Sequence, residues 1–333
     1  MHGTKRITAR HIAAILSVGL LAAAATAGAQ SWSPQKNVEL VVGSAPGGSN
    51  DKTARTVEHI ATMNKIVPVP ITIVNKPGGG STIAFTYVKQ REGDPYTLMI
   101  GTPALLTNNI TGLSKLTYHD FTPIASLLND YVVFAVNAKS SIKTGKDLID
   151  RLKKDPKSVT IGFATALGSH NHIAAGLLMK AIGGNPRDLK VVAYKGSSEA
   201  ITNLLGGHID LVTTAAGNVA GHVRAGKLRV VGVAATHRFP GALANIPTWK
   251  EQGVNLVFGG WRAIIAPKGL TQYQVNYWVE TMRKVTDSPE WKDDLKKNYW
   301  FADFRTGDDF KKDLDRDYAS MKSVLVDLGL ARQ

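Results

Sequence analysis

Short polar residues cluster with glycine at six places along the chain, each directly after a run of apolar residues. Glycine lets the backbone approach a ligand closely, and Ser and Thr add hydroxyl donors. Each cluster leads into a helical pattern, and the unpaired N–H groups and dipole of a helix start favour negative charge. The clusters are therefore suited to binding a small anion. They occupy residues 43–51, 75–81, 101–104, 164–170, 195–198 and 215–218.

Few side chains in these loops could move a proton or attack a substrate. The acid and base groups in or next to the loops include Asp51, His170, His172, Lys195 and Glu199. No G-x-S-x-G turn occurs, and the serines that follow glycine lack the base and the orienting group that a nucleophile needs. Asp51 as a general base is one alternative, but a carboxylate in a first helical turn commonly stabilises the helix start. We predict no catalytic residue and no enzyme activity.

Metal and nucleotide sites are the other interpretations of these loops. His170 and His172 form an H-x-H pair, but positions i and i+2 of a helix point to opposite sides. The chain has no cysteine, and no third ligand is evident. Residues 46–51 do not match the phosphate-loop motif, and the glycines at 78–80 lack dinucleotide-binding spacing. We predict no metal and no cofactor.

Parallel strands followed by helices must position the six loops. The apolar runs at residues 38–42, 71–74, 96–100, 159–163, 191–194 and 211–214 are short and rich in β-branched residues. Such runs, alternating with helical patterns, indicate parallel sheets with right-handed crossovers. Ligands of open parallel sheets bind beyond the carboxyl ends of the strands, where all six loops would lie. The predicted fold class is α/β, with mostly parallel sheets flanked by helices.

The chain is expected to pass between two sheets twice. The apolar run at residues 131–136 does not end in a glycine-rich turn, and another at 258–267 includes paired glycines. Only helical patterns are expected after residue 267. Two crossing strands fit one domain inserted into another. We predict domain I at residues 30–131 and 263–333, domain II at 132–262, and a ligand cleft between them.

The N-terminal segment predicts export. Lys5, Arg6 and Arg10 precede an apolar stretch at residues 12–25, and Ala27 and Ala29 offer an A-x-A cleavage site. This is the pattern of a cleavable secretory signal, here residues 1–29, and it predicts a periplasmic mature chain. No run of about 20 apolar residues is present that could span a membrane.

The charge of the chain favours anionic partners. The formal net charge is +14, of which the three basic residues of the signal segment are part. A positive field attracts anions and speeds their encounter with the protein. The basic residues are scattered and do not interleave with aromatic residues, unlike those of nucleic-acid-binding surfaces. We predict no nucleic-acid partner, and we expect a monomer.

Several motifs, taken in order, resemble the Bug-type solute receptors of tripartite tricarboxylate transporters. The resemblance implies a two-domain, type II periplasmic-binding-protein fold that closes on its ligand by a hinge motion. It also implies delivery of the ligand to a pair of membrane permease subunits driven by an ion gradient. The motifs lie at residues 46–55, 75–80, 94–98, 121–125, 194–196, 204–210 and 246–248.

The same resemblance implies where the ligand binds. The first two glycine loops would hold one carboxylate, and the loop at residues 165–169 would contact the ligand from domain II. Asp51 and Thr102 match positions near the family's site, while Ser49-Asn50 departs from the glycine and polar residue common there. The predicted ligand-binding residues are Ser44, Ala45, Gly47, Asn50, Asp51, Gly78, Gly79, Gly80, Thr102, Thr165, Gly168, Ser169, His170 and Lys195.

The predicted function is capture of a small organic carboxylate, a diacid or an aromatic acid, for uptake. A second carboxylate of the ligand meeting Lys195 or His170 is a hypothesis, and a solvated turn residue is the alternative for Lys195. A sensor that presents its ligand to a membrane signalling partner is an alternative function, and a periplasmic hydrolase is another. The sequence identifies neither the acid nor the choice between transport and sensing.

Overall fold

The computed structural model describes residues 32–332. Within this range the chain forms ten strands and ten α-helices, all in the compact unit that begins at Pro34. The strands are β1 Val38–Val42, β2 Ile71–Asn75, β3 Thr97–Gly101, β4 Phe121–Asn137, β5 Thr160–Ala164, β6 Lys190–Tyr194, β7 Leu211–Ala215, β8 Leu228–Val233, β9 Gly259–Pro267 and β10 Phe301–Thr306. The helices are α1 Ser49–Met63, α2 Thr82–Lys89, α3 Ala104–Ile110, α4 Gly145–Lys154, α5 His170–Ala181, α6 Ser197–Leu205, α7 Ala216–Arg224, α8 Gln272–Asp287, α9 Pro289–Asn298 and α10 Gly307–Asp327.

Two sheets share the long strand β4. Sheet 1 has the strand order β2-β1-β3-β9-β4-β10, in which β1, β2 and β3 are parallel to one another. Sheet 2 has the order β8-β4-β7-β5-β6, in which β5, β6 and β7 are parallel. Along β4 the neighbour changes from β9, which pairs up to Tyr131, to β7, which pairs from Val132 onwards.

Strand β1 shows why these segments form buried parallel strands. Its sequence VELVV is apolar except for Glu39, and the other four residues are buried. A parallel strand is covered by helices on both faces, so a near-continuous apolar run replaces the alternation typical of half-exposed strands. Helix α1 then presents Ala54, Val57 and Ile60 to the core at helical spacing.

Separate apolar cores cover the two sheets. One core packs α2, α3 and α10 against sheet 1, where Phe85 and Phe310 are buried. Two cores cover the faces of sheet 2, and in one of them Phe134 meets Trp249 edge-on with ring centroids 5.1 Å apart. Each sheet is therefore packed against its own helices. The loops at the carboxyl ends of the parallel strands connect strands and helices that these cores hold in place.

The structure corrects one expectation about the chain's end. The prediction that only helical patterns follow residue 267 is wrong, because β10 pairs antiparallel with β4. Its sequence FADFRT mixes charged and aromatic residues, and five of its six residues are only partly buried. Such a strand takes its stability from pairing with β4 and shows little hydrophobic pattern of its own.

Candidate ligand-binding site

A small cavity of about 30 Å³ lies where loops of the two sheets meet. By this measure it has room for about two water molecules. Its walls come from the four turns β1–α1, β5–α5, β6–α6 and β7–α7, which follow parallel strands, and β9 closes the cavity with one side chain. The lining residues are Ser44, Gly48, Ser49, Asn50, Ala164, Thr165, His170, Asn171, Ser197, Ala215, Asn218 and Arg262.

Four helices begin at this cavity. Helices α1, α5, α6 and α7 each contribute a residue of their first turn to its lining. Their N-cap residues, Gly48, Ser169, Gly196 and Ala215, form no side-chain cap hydrogen bond. The first N–H groups of these helices therefore have no side-chain acceptor from the cap residue. Of the six helices that start elsewhere in the fold, α4, α8 and α9 have side-chain caps from Thr144, Thr271 and Ser288, whereas α2, α3 and α10 also lack one.

Buried polar atoms around the cavity lack partners. Within residues 32–332, five lining residues carry a buried side-chain nitrogen or oxygen without a hydrogen bond. Leaving such an atom unsatisfied costs about 1–3 kcal/mol, so this concentration indicates a polar guest. The amides can offer either an oxygen or an NH₂ group to that guest. The atoms are Ser44 Oγ, Asn50 Oδ1, Asn171 Oδ1, Asn218 Oδ1 and Arg262 Nε.

Arg262 supplies the cavity's buried positive charge. Only 2% of Arg262 is exposed, and its Nη1 donates to the carbonyl oxygens of Gly260 and Trp261 at 3.1 and 3.2 Å. Its Nη2 lies 3.4 Å from Oδ2 of the buried Asp130. Charge-assisted bonds of this kind are usually about 2.7–2.9 Å long. Asp130 therefore pairs with Nη2 through a long contact, and Nε, which has no protein partner within residues 32–332, remains available to an anion.

Burial shapes the protonation of this pair. Burial raises the pKa of Asp130 to about 6, against the opposing effect of the Arg262 charge. The pKa of Arg262 is lowered by its burial, but a guanidinium stays protonated in proteins. The cavity thus keeps a fixed positive charge, while the strength of its internal counter-charge varies with pH around 6.

His170 and His172 have different surroundings. His170 lines the cavity, and burial together with the Arg262 charge lowers its pKa to about 3. His172 accepts a hydrogen bond at Nδ1 from the Gly168 N–H at 2.9 Å and stacks on Phe163 with centroids 4.8 Å apart. Burial lowers its pKa to about 4. Both imidazoles are therefore neutral at pH 7, and only His170 faces the cavity.

Among the residues predicted from the sequence, Ser44, Asn50, Thr165 and His170 line the cavity. Thr165 has a backbone φ of +78°, a conformation that β-branched residues rarely adopt. Its N–H donates to the Tyr194 carbonyl oxygen at 2.7 Å, which ties β5–α5 to the end of β6. Backbone strain of this kind is typical of binding and catalytic sites.

Asp51 and Gly47 shape the first loop from behind the cavity. The Asp51 carboxylate is buried and accepts from the Gly47 N–H at 2.9 Å, from Arg55, and from Asn75 Nδ2 at 3.0 Å. These bonds, with the Arg55 charge, hold the pKa of Asp51 below its usual value despite the opposing and largest effect of burial. Asp51 thus fixes the turn, and neither it nor Gly47 is part of the cavity lining.

The second and third loops of sheet 1 lie outside the cavity lining. Gly78, Gly79 and Gly80 all have positive φ, and a Cβ on Gly80 would stand 2.9 Å from Ala166 Cβ. Here only glycine permits the close approach of the β2–α2 and β5–α5 loops. The Thr102 hydroxyl accepts from the Ala104 N–H at 3.3 Å, at the start of α3.

Four further predicted residues also lie outside the lining. Gly168 donates to His172, and Ser169 is buried at the N-cap of α5 with its hydroxyl unpartnered within residues 32–332. Ala45 faces Gly196, on which a Cβ would be 3.3 Å away. Lys195 is exposed, and its backbone N–H donates to Glu199 at 3.0 Å.

Sequence reasoning missed several lining residues, and Arg262 matters most. A lone arginine in the apolar run at residues 258–267 was the available signal, since an unpaired charge seldom occurs in a buried strand. Seven further lining residues were also missed, although all lie in or beside the predicted loops: Gly48, Ser49, Ala164, Asn171, Ser197, Ala215 and Asn218.

In residues 32–332, no helix is long and apolar enough to cross a membrane. The predicted signal peptide lies outside the described residues.

Two sheets that share a strand, with helix starts around a polar cavity, have the architecture of type II periplasmic solute-binding proteins, and the predicted α/β fold class is confirmed. Residues 54–323 match the model of the tripartite tricarboxylate transporter family receptors. The chain belongs to this family, as the resemblance to Bug-type receptors predicts. Members of the family are periplasmic solute receptors and not enzymes.

Known proteins similar to this chain agree with the family assignment. Protein BugT of Bordetella pertussis is 28% identical over 244 residues, 71% of this chain and 72% of BugT. A solved periplasmic transporter is 28% identical with a TM-score of 0.80, covering 88% of this chain and 97% of the other. A Rhodopseudomonas palustris protein solved with adipate is 25% identical with a TM-score of 0.82, covering 90% and 99% of the two chains.

Proposed function

We propose that this protein captures a small organic carboxylate in the periplasm and delivers it to a membrane permease of the tripartite tricarboxylate type. The observation that carries the proposal is the meeting of four uncapped helix starts with the buried Arg262 around one cavity. Helix N–H groups and a guanidinium both favour a carboxylate over a neutral group. Family membership and the adipate-bound relative support the same ligand class.

The unpartnered amides refine the ligand. Asn50, Asn171 and Asn218 could meet hydroxyl, carbonyl or amide groups beside the carboxylate. The cavity of about 30 Å³ holds little more than the carboxylate itself. A longer diacid or an aromatic acid therefore requires the two walls to stand farther apart than they do here. The neutral His170 at the wall adds a hydrogen-bonding group without a competing charge.

We further propose that residues 30–131 with 263–333 form domain I, that residues 132–262 form domain II, and that the two close on the ligand by a hinge. The change of partner along β4, between Tyr131 and Val132, supports this division. Contacts between the two parts include a hydrogen bond from Lys52 Nζ to the Gly217 carbonyl oxygen at 3.3 Å. Closure is favoured when a ligand satisfies the cavity's polar atoms, because burying them empty is costly.

Several residues predicted to contact the ligand do not line the cavity in this structure, and we include them in the proposal as supporting residues. Asp51, Gly47 and Ala45 shape the first loop, and residues 78–80 border the loop at 165–169. Ordered water could connect them to a ligand, since a water bridge is nearly as favourable as a direct bond. Thr102, Gly168, Ser169 and Lys195 have the weakest geometric support as direct contacts.

A thermal-shift screen tests the ligand class. A ligand that binds only the folded state raises Tm, by an amount set by its concentration relative to Kd. Adipate and other mono-, di- and tricarboxylates, with aromatic acids, should be compared with their neutral amides at equal concentration. We expect at least one acid to raise Tm while its amide does not. The ligand class is refuted if no acid raises Tm or if amides match acids.

Two further measurements separate the receptor from its alternatives. Unchanged acid recovered after long incubation with the protein is expected, whereas hydrolysis would show an enzyme. Uptake of the same acid into vesicles that contain the family's two membrane subunits should require this protein. Binding without such a requirement would leave the receptor assignment standing but contradict delivery to a permease.

A further inference from the structure

A second, larger groove of about 630 Å³ lies beside the first cavity. Helices α1, α7 and α9 form its walls, and α9 contacts both of the other two. Asn218 lines both the groove and the cavity, but the charged residues of the groove do not reach the cavity. The groove thus lies between segments that pack on both sheets, and a ligand bound in it would contact both.

The groove carries a marked excess of positive charge. Its lining includes the cations Lys52 and Arg55 from α1, Arg224 from α7 and Lys297 from α9, together with the imidazole of His222, against one acid, Asp294. Of the cations, Arg55 pairs with Asp51, and Asp294 accepts from the Thr56 hydroxyl. None of the ion pairs within residues 32–332 involves Lys52, Arg224 or Lys297.

Lys52 is a partly buried cation of the groove that forms no ion pair within residues 32–332. Its ammonium group is partly buried, and its one hydrogen bond to protein goes to the uncharged Gly217 carbonyl at 3.3 Å within residues 32–332. Burial lowers the pKa of Lys52; the charges of Asp130 and Asp294 oppose this effect, and the nearby Lys297 makes a smaller contribution in the same direction as burial. Like charges held together repel one another, and an anion placed between them removes that repulsion.

We propose that this groove is a second anion site, which binds a small polyanion with two or more phosphate or carboxylate groups. A volume of about 630 Å³ is in the usual range of small-molecule sites. A polyanion can reach cations on α1, α7 and α9 together, so its binding holds these three helices against one another. Because α1 and α7 also start at the first cavity, occupancy of the groove favours the arrangement in which that cavity is enclosed.

Inorganic pyrophosphate is the probe for this site, measured by titration calorimetry at low and at physiological salt. We expect binding to the wild type that weakens as salt rises, because salt screens partly exposed charges. Lys297→Gln and Lys52→Gln should each weaken pyrophosphate binding about tenfold. Lys296→Gln is the matched control, since this neighbouring side chain is 78% exposed and is not part of the groove lining. Equal weakening by Lys296→Gln and Lys297→Gln would overturn the proposal.

Asp294→Asn gives a test of opposite sign. Removing the groove's one acid should tighten pyrophosphate binding several-fold, an effect that partial unfolding cannot produce. Unchanged or weaker binding by a folded Asp294→Asn variant would count against the groove.

The two sites are separated with the double variant D130N/R262Q, which removes the positive charge of the first cavity without leaving Asp130 buried alone. Pyrophosphate binding should persist in this variant within about threefold of the wild type. Its loss would place the polyanion in the first cavity and overturn the proposal. Failure of the groove in these tests leaves the carboxylate receptor intact, because the acid screen is read independently.

Discussion

Acid should destabilise the folded protein through His170 and His172. Burial lowers the pKa of His172 to about 4, and burial with the Arg262 charge lowers that of His170 to about 3, from 6.5 in the unfolded chain. Because the folded-state pKa values are the lower ones, the unfolded chain takes up protons first as the pH falls. The two neutral histidines therefore leave the free energy of unfolding at its full value above about pH 6.5. The free energy of unfolding falls as the pH drops from 6.5 towards the folded-state pKa values.

The size of the loss follows from these values. At pH 5 an unfolded histidine is almost fully protonated and each of these folded ones is still neutral, which costs about 2 kcal/mol per residue relative to pH 7. Asp130 acts in the opposite direction, because burial raises its pKa to about 6 and its folded form gains the proton first. That uptake returns about 1 kcal/mol, which leaves a net loss of about 3 kcal/mol from these three groups.

Urea unfolding at pH 7 and pH 5 measures this loss. His172→Gln keeps an acceptor near the Gly168 N–H and should reduce the acid loss by about 2 kcal/mol. His59→Gln, an exposed position on α1, should leave the loss unchanged. An acid loss that is the same in wild type and in His172→Gln would refute the reasoning. So would an equal effect of the two variants.

Gly217→Ala should weaken ligand binding about tenfold, because an added Cβ would stand 2.6 Å from the Asn298 carbonyl oxygen and hold the walls apart. Gly221→Ala in the same helix meets nothing within 4 Å and should bind normally in calorimetry, so equal weakening would contradict this account. Lys195→Ala should change affinity by less than about twofold, and a larger loss would return this lysine to the site. Asp51→Asn should lower the free energy of unfolding in urea by about 1–3 kcal/mol, since its buried carboxylate fixes the first loop; an unchanged value would contradict that role.

Local patterns predicted the loops well because strands and helix starts are encoded over a few residues. The run at residues 38–42 coincides with β1, and Asn50 and Thr165 lie in loops that reach one cavity. The same reasoning could not tell that the loop at 78–80 borders this cavity without lining it. That outcome depends on how β4 and β9 set the two sheets against each other, which no short segment specifies.

Arg262 illustrates the limit most clearly. Its burial is tolerated because Asp130 lies beside it, and the two are 132 positions apart in the chain. A side chain in an apolar run is assigned to the core by pattern alone, and only the antiparallel pairing of β4 with β9 brings the two charges together. Lys195 is a cation in one of the loops predicted to bind the anion, yet this residue is exposed.

The claim on which the account depends is that Arg262 and the helix starts select a negative charge. Calorimetric titration of the strongest acid from the screen, and of its neutral amide, tests it in wild type and in D130N/R262Q. The double change avoids leaving Asp130 buried without its partner. Arg238→Gln, which removes a half-exposed arginine paired with Glu251, is the control. The account predicts that the double variant loses about thirtyfold in affinity for the acid and little for the amide. Equal losses for acid and amide, or wild-type affinity for the acid, would contradict it.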